Sequence, residues 1–153
     1  MNERQQIKIK LYEHCLEQVA TRIQTARTAL EAAQEAGNNE TRSSAGDKYE
    51  TGRAMMQMEQ EKYKVQLLKA MELKNQLVQL RPGRPAEIVQ AGALVLTDKG
   101  NFYLSAGLGK ISLEREVFFA ISLESPLGKQ MRGKRKGERF AFRGKEYLIG
   151  AVI

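Results

Sequence analysis

The sequence predicts an α+β protein: an antiparallel coiled-coil helical hairpin, then a small antiparallel sheet domain with one short helix. Three observations carry this. Apolar residues recur at alternating three-four spacing through residues 1–80, a Pro-Gly-Arg-Pro break follows, and beyond it the hydrophobic period shortens to that of strands.

In the first arm, Ile9, Tyr12, Leu16, Val19, Ile23, Ala26, Leu30 and Ala33 form the seam of a coiled coil. In the second, Met56, Tyr63, Ala70, Leu73, Leu77 and Leu80 continue it. Residues 37–53 lie between the arms, polar and glycine-containing, and read as the tip where the chain folds back. At about 1.5 Å per residue, arms of roughly 30 residues give a finger about 45 Å long. Gly37 to Gly46 is longer than such a turn needs, and Met55, Met56 and Met58 read as core filler.

Pro82 and Pro85 forbid helix continuation, so residues 81–87 form a short, stiff linker between a hairpin at 1–80 and a domain at 88–153. There, Ile88 to Leu96 reads as a strand, Asp98-Lys99-Gly100-Asn101 as a hairpin turn, and Phe102 to Leu104 as the next strand. Lys110 to Leu113 and Val117 to Ile121 are further strands, the latter central. Ser125 is placed to cap a short helix with Pro126 at its first position, ending at Gly133. Arg139 to Phe142 and Tyr147 to Ile153 form a last hairpin.

Composition narrows the function classes. With 42% hydrophobic and 28% charged residues, the 153-residue chain has the make-up of a soluble folded protein. It has no apolar run of about 18 residues and no signal-peptide layout at its N-terminus. Cys15 is alone and cannot form an internal disulfide, which fits a cytoplasmic protein, and it reads as ordinary packing. Residues 1–80 carry 12 basic and 11 acidic side chains, net +1, while residues 81–153 carry 13 and 7, net +6. The excess gathers in Lys129, Arg132, Lys134, Arg135, Lys136, Arg139, Arg143 and Lys145, a stretch suited to phosphates or an acidic protein surface, or simply a solvated turn. No nucleophile–base constellation or phosphate-cradling loop is present, so the chain does not read as an enzyme.

The second half carries Ile121-Ser122, Ser125-Pro126-Leu127-Gly128, Met131, Gly133-Lys134 and Gly137-Glu138, then strands through Tyr147 and Ile149. This series resembles that of the Gre transcription elongation factors, bacterial proteins with a coiled-coil hairpin ahead of an FKBP-like domain. The resemblance implies binding to RNA polymerase, with the C-terminal domain docked at the secondary channel through residues such as Ser125, Pro126, Lys134, Arg135 and Lys136. It implies a tip inserted towards the active centre, near nascent RNA, with Glu40, Arg42, Ser44, Asp47, Lys48, Tyr49, Glu50 and Arg53 on it. In the family, two tip acids help hold a magnesium ion and the polymerase cuts backtracked RNA. When Tyr49 and Arg53 are matched to the family's Tyr and Arg, those acids fall on Arg42 and Ala45. Asp47, with Glu40 or Glu50 beside it, would then take the metal role shared with polymerase, since carboxylate oxygens suit a hard cation.

Other readings stand beside these. Ser44 and Asp47 have capping-box spacing, so Asp47 could serve only to start the second helix. Tyr49 could stack on a base or pack across the hairpin end. The finger could occupy the channel without cleavage, altering pausing or initiation. The sheet domain could instead be an FKBP-like isomerase or chaperone, or the basic stretch a DNA- or RNA-binding module. The seams could pair within one chain or between two; a monomer is expected.

Overall fold

The computed structural model describes residues 2–41 and 46–153, with the backbone alone at 39–41 and 46–50. Helices α1 (Glu3–Thr41) and α2 (Gly46–Val78) come first. Strands β1 (Leu94–Thr97), β2 (Gly100–Leu104), β3 (Gly109–Leu113) and β4 (Glu116–Ile121) follow, then helix α3 (Pro126–Met131) and strands β5 (Arg139–Phe142) and β6 (Lys145–Val152). The class is α+β, as the sequence predicts. The chain divides into two compact units: Met1–Leu16 with Asn75–Ile153, and Glu17–Lys74.

The unit Glu17–Lys74 is made of facing stretches of α1 and α2. Val19, Ile23, Ala26 and Ala33 of α1 are buried, as is Ala70 of α2, so the seam read from spacing is the packed one. The pairing is antiparallel. The Gln60 amide donates to the Ala33 carbonyl at 3.3 Å, whereas Ala26 shares a cavity wall with Ala70. Two expectations need correction here. Helix α1 runs through Gly37 to Thr41, so the break between the helices is much shorter than residues 37–46. Helix α2 passes close to Gly37: a Cβ there would lie 2.6 Å from Gln60 Nε2, the far end of a flexible side chain, and 3.7 Å from Met56 Cβ. Met55 and Met58 are not core filler, being 60% and 74% exposed, while Met56 is half-buried on the seam side.

The other unit sets the N-terminal turns of α1 and the last turn of α2 with the sheet. Leu11, Tyr12 and Cys15 of α1 and Leu77 of α2 are buried there. A second cluster lies on the sheet, where Val89, Val95, Phe102, Leu104, Met131, Phe140 and Ile149 pack together. The six strands run in the order β3-β4-β2-β1-β6-β5. The sheet is mixed, not wholly antiparallel. A tight turn at Glu114 and Arg115, both left-handed at φ 51° and 68°, returns the chain along β3. Strand β4 thereby slots between β3 and β2, antiparallel to the first and parallel to the second, with Phe102 opposite Phe119. That gives β4 neighbours on both sides, as expected of a central strand.

The long strand expected from Ile88 is also shortened. Gly92, at φ 89°, turns the chain so that β1 starts only at Leu94. Before the turn, Val89 exchanges backbone hydrogen bonds with Lys134 and Gly133. Helix α3 begins as predicted and ends two residues early, at Met131, with Gly133 left-handed at φ 78°. The last hairpin turns at Arg143-Gly144, both left-handed, which suits a two-residue turn between twisted strands.

Candidate functional site

Helix α1 carries the chain up to Thr41 and α2 resumes it at Gly46, so residues 42–45 connect two long helices. Arg42 and Ser44 lie outside the described residues, as does Ala45. Glu40 falls in the last turn of α1, and Asp47, Lys48, Tyr49 and Glu50 fall in the first turns of α2. The side chains of these five lie outside the described ones. Asp47 and Glu50 are three apart on α2, which places both on one helix face. An acid so near a helix start also suits the helix dipole. Arg53 is exposed one turn further on. Among the described residues, no three His, Cys, Asp or Glu side chains gather as metal ligands.

The Ser-Pro-Leu-Gly series has a structural explanation. The Ser125 hydroxyl accepts from the Gly128 amide at 3.1 Å and donates to the Ser122 carbonyl at 2.6 Å, tying the start of α3 to the end of β4. Pro126 occupies the first helical position, where no amide donor is needed. Gly128 is buried with no room for a side chain: a Cβ would collide with the Ser122 carbonyl oxygen and lie 2.8 Å from that of Leu123. Ser125 is thus a cap before it is a docking residue, while Pro126 faces solvent.

The basic stretch runs through α3, the turns after it and the β5–β6 hairpin. Arg132 pairs with Glu124 at 3.2 Å, and Arg135 reaches Glu87 at 4.0 Å. Arg143 lies 5.0 Å over the Phe142 ring. Lys134 is half-buried, with its carbonyl accepting from Val89, and Glu138 accepts from the Arg135 amide at 2.9 Å. Lys136, Arg139 and Lys145 are exposed and form no ion pair among the described residues. Most of this charge therefore faces water, available to an acidic partner.

The aromatic residues of the sheet are engaged with one another. Phe140 stacks on Tyr147 at 4.8 Å, Tyr147 meets Phe102 edge-on at 6.3 Å, and Phe102 meets Phe119 at 6.0 Å. Phe102, Phe118 and Phe140 are buried. These three serve as core packing, whereas Phe119 is 38% exposed.

Sequence reasoning missed the polar members of the first helix face. Gln5 and Lys8 are 5% and 4% exposed. Their positions continue the buried face of Tyr12, Cys15 and Val19 at three-four spacing, one residue off the predicted seam through Ile9 and Leu16, which are only half-buried; the residue types hid the shift. Lys8 Nζ donates to the Ile153 carbonyl at 3.1 Å, and burial lowers its pKa from 10.5. The Gln5 amide donates to the Gly83 carbonyl at 2.9 Å. Cys15 lies near Tyr103 and the Ser105 hydroxyl; burial pushes its thiol up to about 11. The Tyr103 hydroxyl is buried without a hydrogen-bond partner among the described residues, and burial raises its pKa.

No protein-family model matches the chain, and no curated protein is significantly similar to it.

Proposed function

We propose that the chain is a Gre-type regulator that binds RNA polymerase and inserts the end of its helical hairpin into the secondary channel. The observation that carries this reading is the order of parts. Helices of 39 and 33 residues run antiparallel about a short connection, ahead of a sheet domain whose α3 starts with the Ser-Pro-Leu-Gly wedge. At about 1.5 Å per residue, helices of this length span some 50–60 Å, enough to carry a tip deep into a channel. The polymerase would supply the chemistry, so the chain is not an enzyme in its own right. Exposed cations such as Lys136 would meet acidic surface at the channel mouth, steering the encounter.

In the cleavage form of this reading, Asp47 with Glu40 or Glu50 supplies carboxylate oxygens to a magnesium ion held chiefly by the polymerase. Arg42 and Ala45, at the positions of the family's acids, favour a second form, in which the tip occupies the channel and alters pausing without cleavage.

The test is a stalled, backtracked elongation complex given the wild-type, Asp47→Ala or Glu50→Ala protein. Co-elution with polymerase and shortening of the RNA, lost in the Asp47→Ala protein, are expected of the cleavage form. Co-elution with unchanged RNA lengths establishes the non-cleaving form. Failure to co-elute sinks both.

A further inference from the structure

Helix α2 carries a second stripe beside its seam. Met55, Met58, Lys62, Val65, Lys69 and Leu73 recur at three-four spacing, which sets them along one side of the helix. Ala70 is buried in the seam, whereas Met58 is 74% exposed and Val65 41%. Two hollows lie along this side, both within the unit Glu17–Lys74. In one, of about 350 Å³, Thr21, Arg22 and Thr25 of α1 stand opposite Lys69 and Leu73 of α2. The other, of about 530 Å³, runs past Met58, Lys62 and Val65. They share Gln66 and Lys69, so they make one groove. From Met55 to Leu73 the helix rises about 27 Å, the length of some five turns of another helix.

The groove is cationic. Arg22, Lys62 and Lys69 line it, against the single acid Glu61. None of these three cations forms an ion pair among the described residues. The excess is local, since residues 17–74 carry 9 basic and 9 acidic side chains.

We propose that this groove docks an amphipathic helix of a partner protein, apolar along one stripe and acidic on its flanks. Apolar side chains at helical spacing beside a cleft are the pattern of helix-in-groove recognition, and exposed methionines adapt to the surface they meet. Flanking lysines then select a helix with carboxylates beside its seam, as charges beside a coiled-coil seam choose partners. A second copy of this chain is the poorer occupant, because joining two copies groove to groove sets like charges together. The groove is separate from the hairpin tip, and the inference stands whether or not the chain binds polymerase.

The experiment is fluorescence anisotropy of a labelled designed peptide titrated with the full chain. The peptide has three heptads, about 21 residues, with Leu at a and d and Glu at e and g. Its twin carries Lys at e and g. The proposal expects saturable, one-to-one binding of the acidic peptide and none of the lysine peptide. Met58→Gln/Val65→Gln and Lys62→Glu/Lys69→Glu, all at exposed positions, should each weaken binding on the order of tenfold or more. Arg27→Glu/Lys64→Glu, the same charge change at residues outside the groove, should bind as wild type. Absence of saturable binding overturns the proposal, as does equal binding of the two peptides or equal weakening in the two charge-reversal variants. Dimerisation of the chain that Met58→Gln/Val65→Gln abolishes, seen by sedimentation, gives the groove to a second copy and overturns it. Binding of a single-stranded 12-nucleotide RNA, lost in Lys62→Glu/Lys69→Glu and without binding of the acidic peptide, overturns it too.

Discussion

Gly128 is the position where one added methyl group would do most damage. Its Cβ would strike backbone oxygens of Ser122 and Leu123, which cannot swing aside as a flexible side chain can. Gly128→Ala should destabilise the sheet domain by about 3 kcal/mol or more, at the upper end of overpacking costs. Ser125→Ala, which loses the cap, should cost only about 1 kcal/mol. Urea unfolding of both variants checks the order; equal losses would contradict the steric account. The pattern Ser-Pro-Leu-Gly was legible in the sequence as a helix start, but its glycine needed coordinates, because the collision comes from a neighbouring segment. Cys15 makes a second prediction. With its thiol buried and pushed up to about 11, it should react with a thiol reagent at pH 8 far more slowly in the native protein than in denaturant. Lys8 makes a third. Its folded pKa lies below the unfolded 10.5, so between those values the unfolded chain holds more protons and stability rises with pH. Denaturation midpoints across that window should climb in wild type and climb less in Lys8→Met.

Helices α1 and α2 follow their three-four spacing closely, and the spacing extends to residues whose chemistry argues against burial, Gln5 and Lys8. Facing alanines leave the seam thin in the middle: a cavity of about 350 Å³ lies between Ala26 and Ala70, with Thr25 and Leu73 on its wall. Ala26→Leu should therefore fill space without strain and raise hairpin stability by about 1 kcal/mol, read as a higher midpoint in the helical circular-dichroism melt. A lower midpoint would mean that the cavity is not accessible to a side chain from this position. The strands were less legible. Local alternation and turn residues locate β2, β3, β4 and the final hairpin, but the parallel pairing of β2 with β4 depends on where β3 leaves the chain. That is decided by the left-handed turn at Glu114-Arg115, two residues that carry no turn signal. The late start imposed on the expected Ile88 strand comes from Gly92, a glycine readable as strand or turn until its φ is known.

For the molecule as a whole, the sequence conveys order of parts better than purpose. Two long antiparallel helices precede a mixed-sheet domain, with exposed cations beyond α3. The tip is where the proposed function rests, and its chemistry turns on Asp47 and Glu50, since Arg42 and Ala45 offer no carboxylate. Because Cys15 is buried, a single thiol placed at the tip by Ser44→Cys would be the one reactive site in the chain. Attaching a photo-crosslinker there and mapping its adducts on RNA polymerase tests the central claim most directly. The account predicts crosslinks to residues lining the secondary channel near the active centre. Crosslinks confined to the outer surface of the polymerase, or none at all, would contradict it.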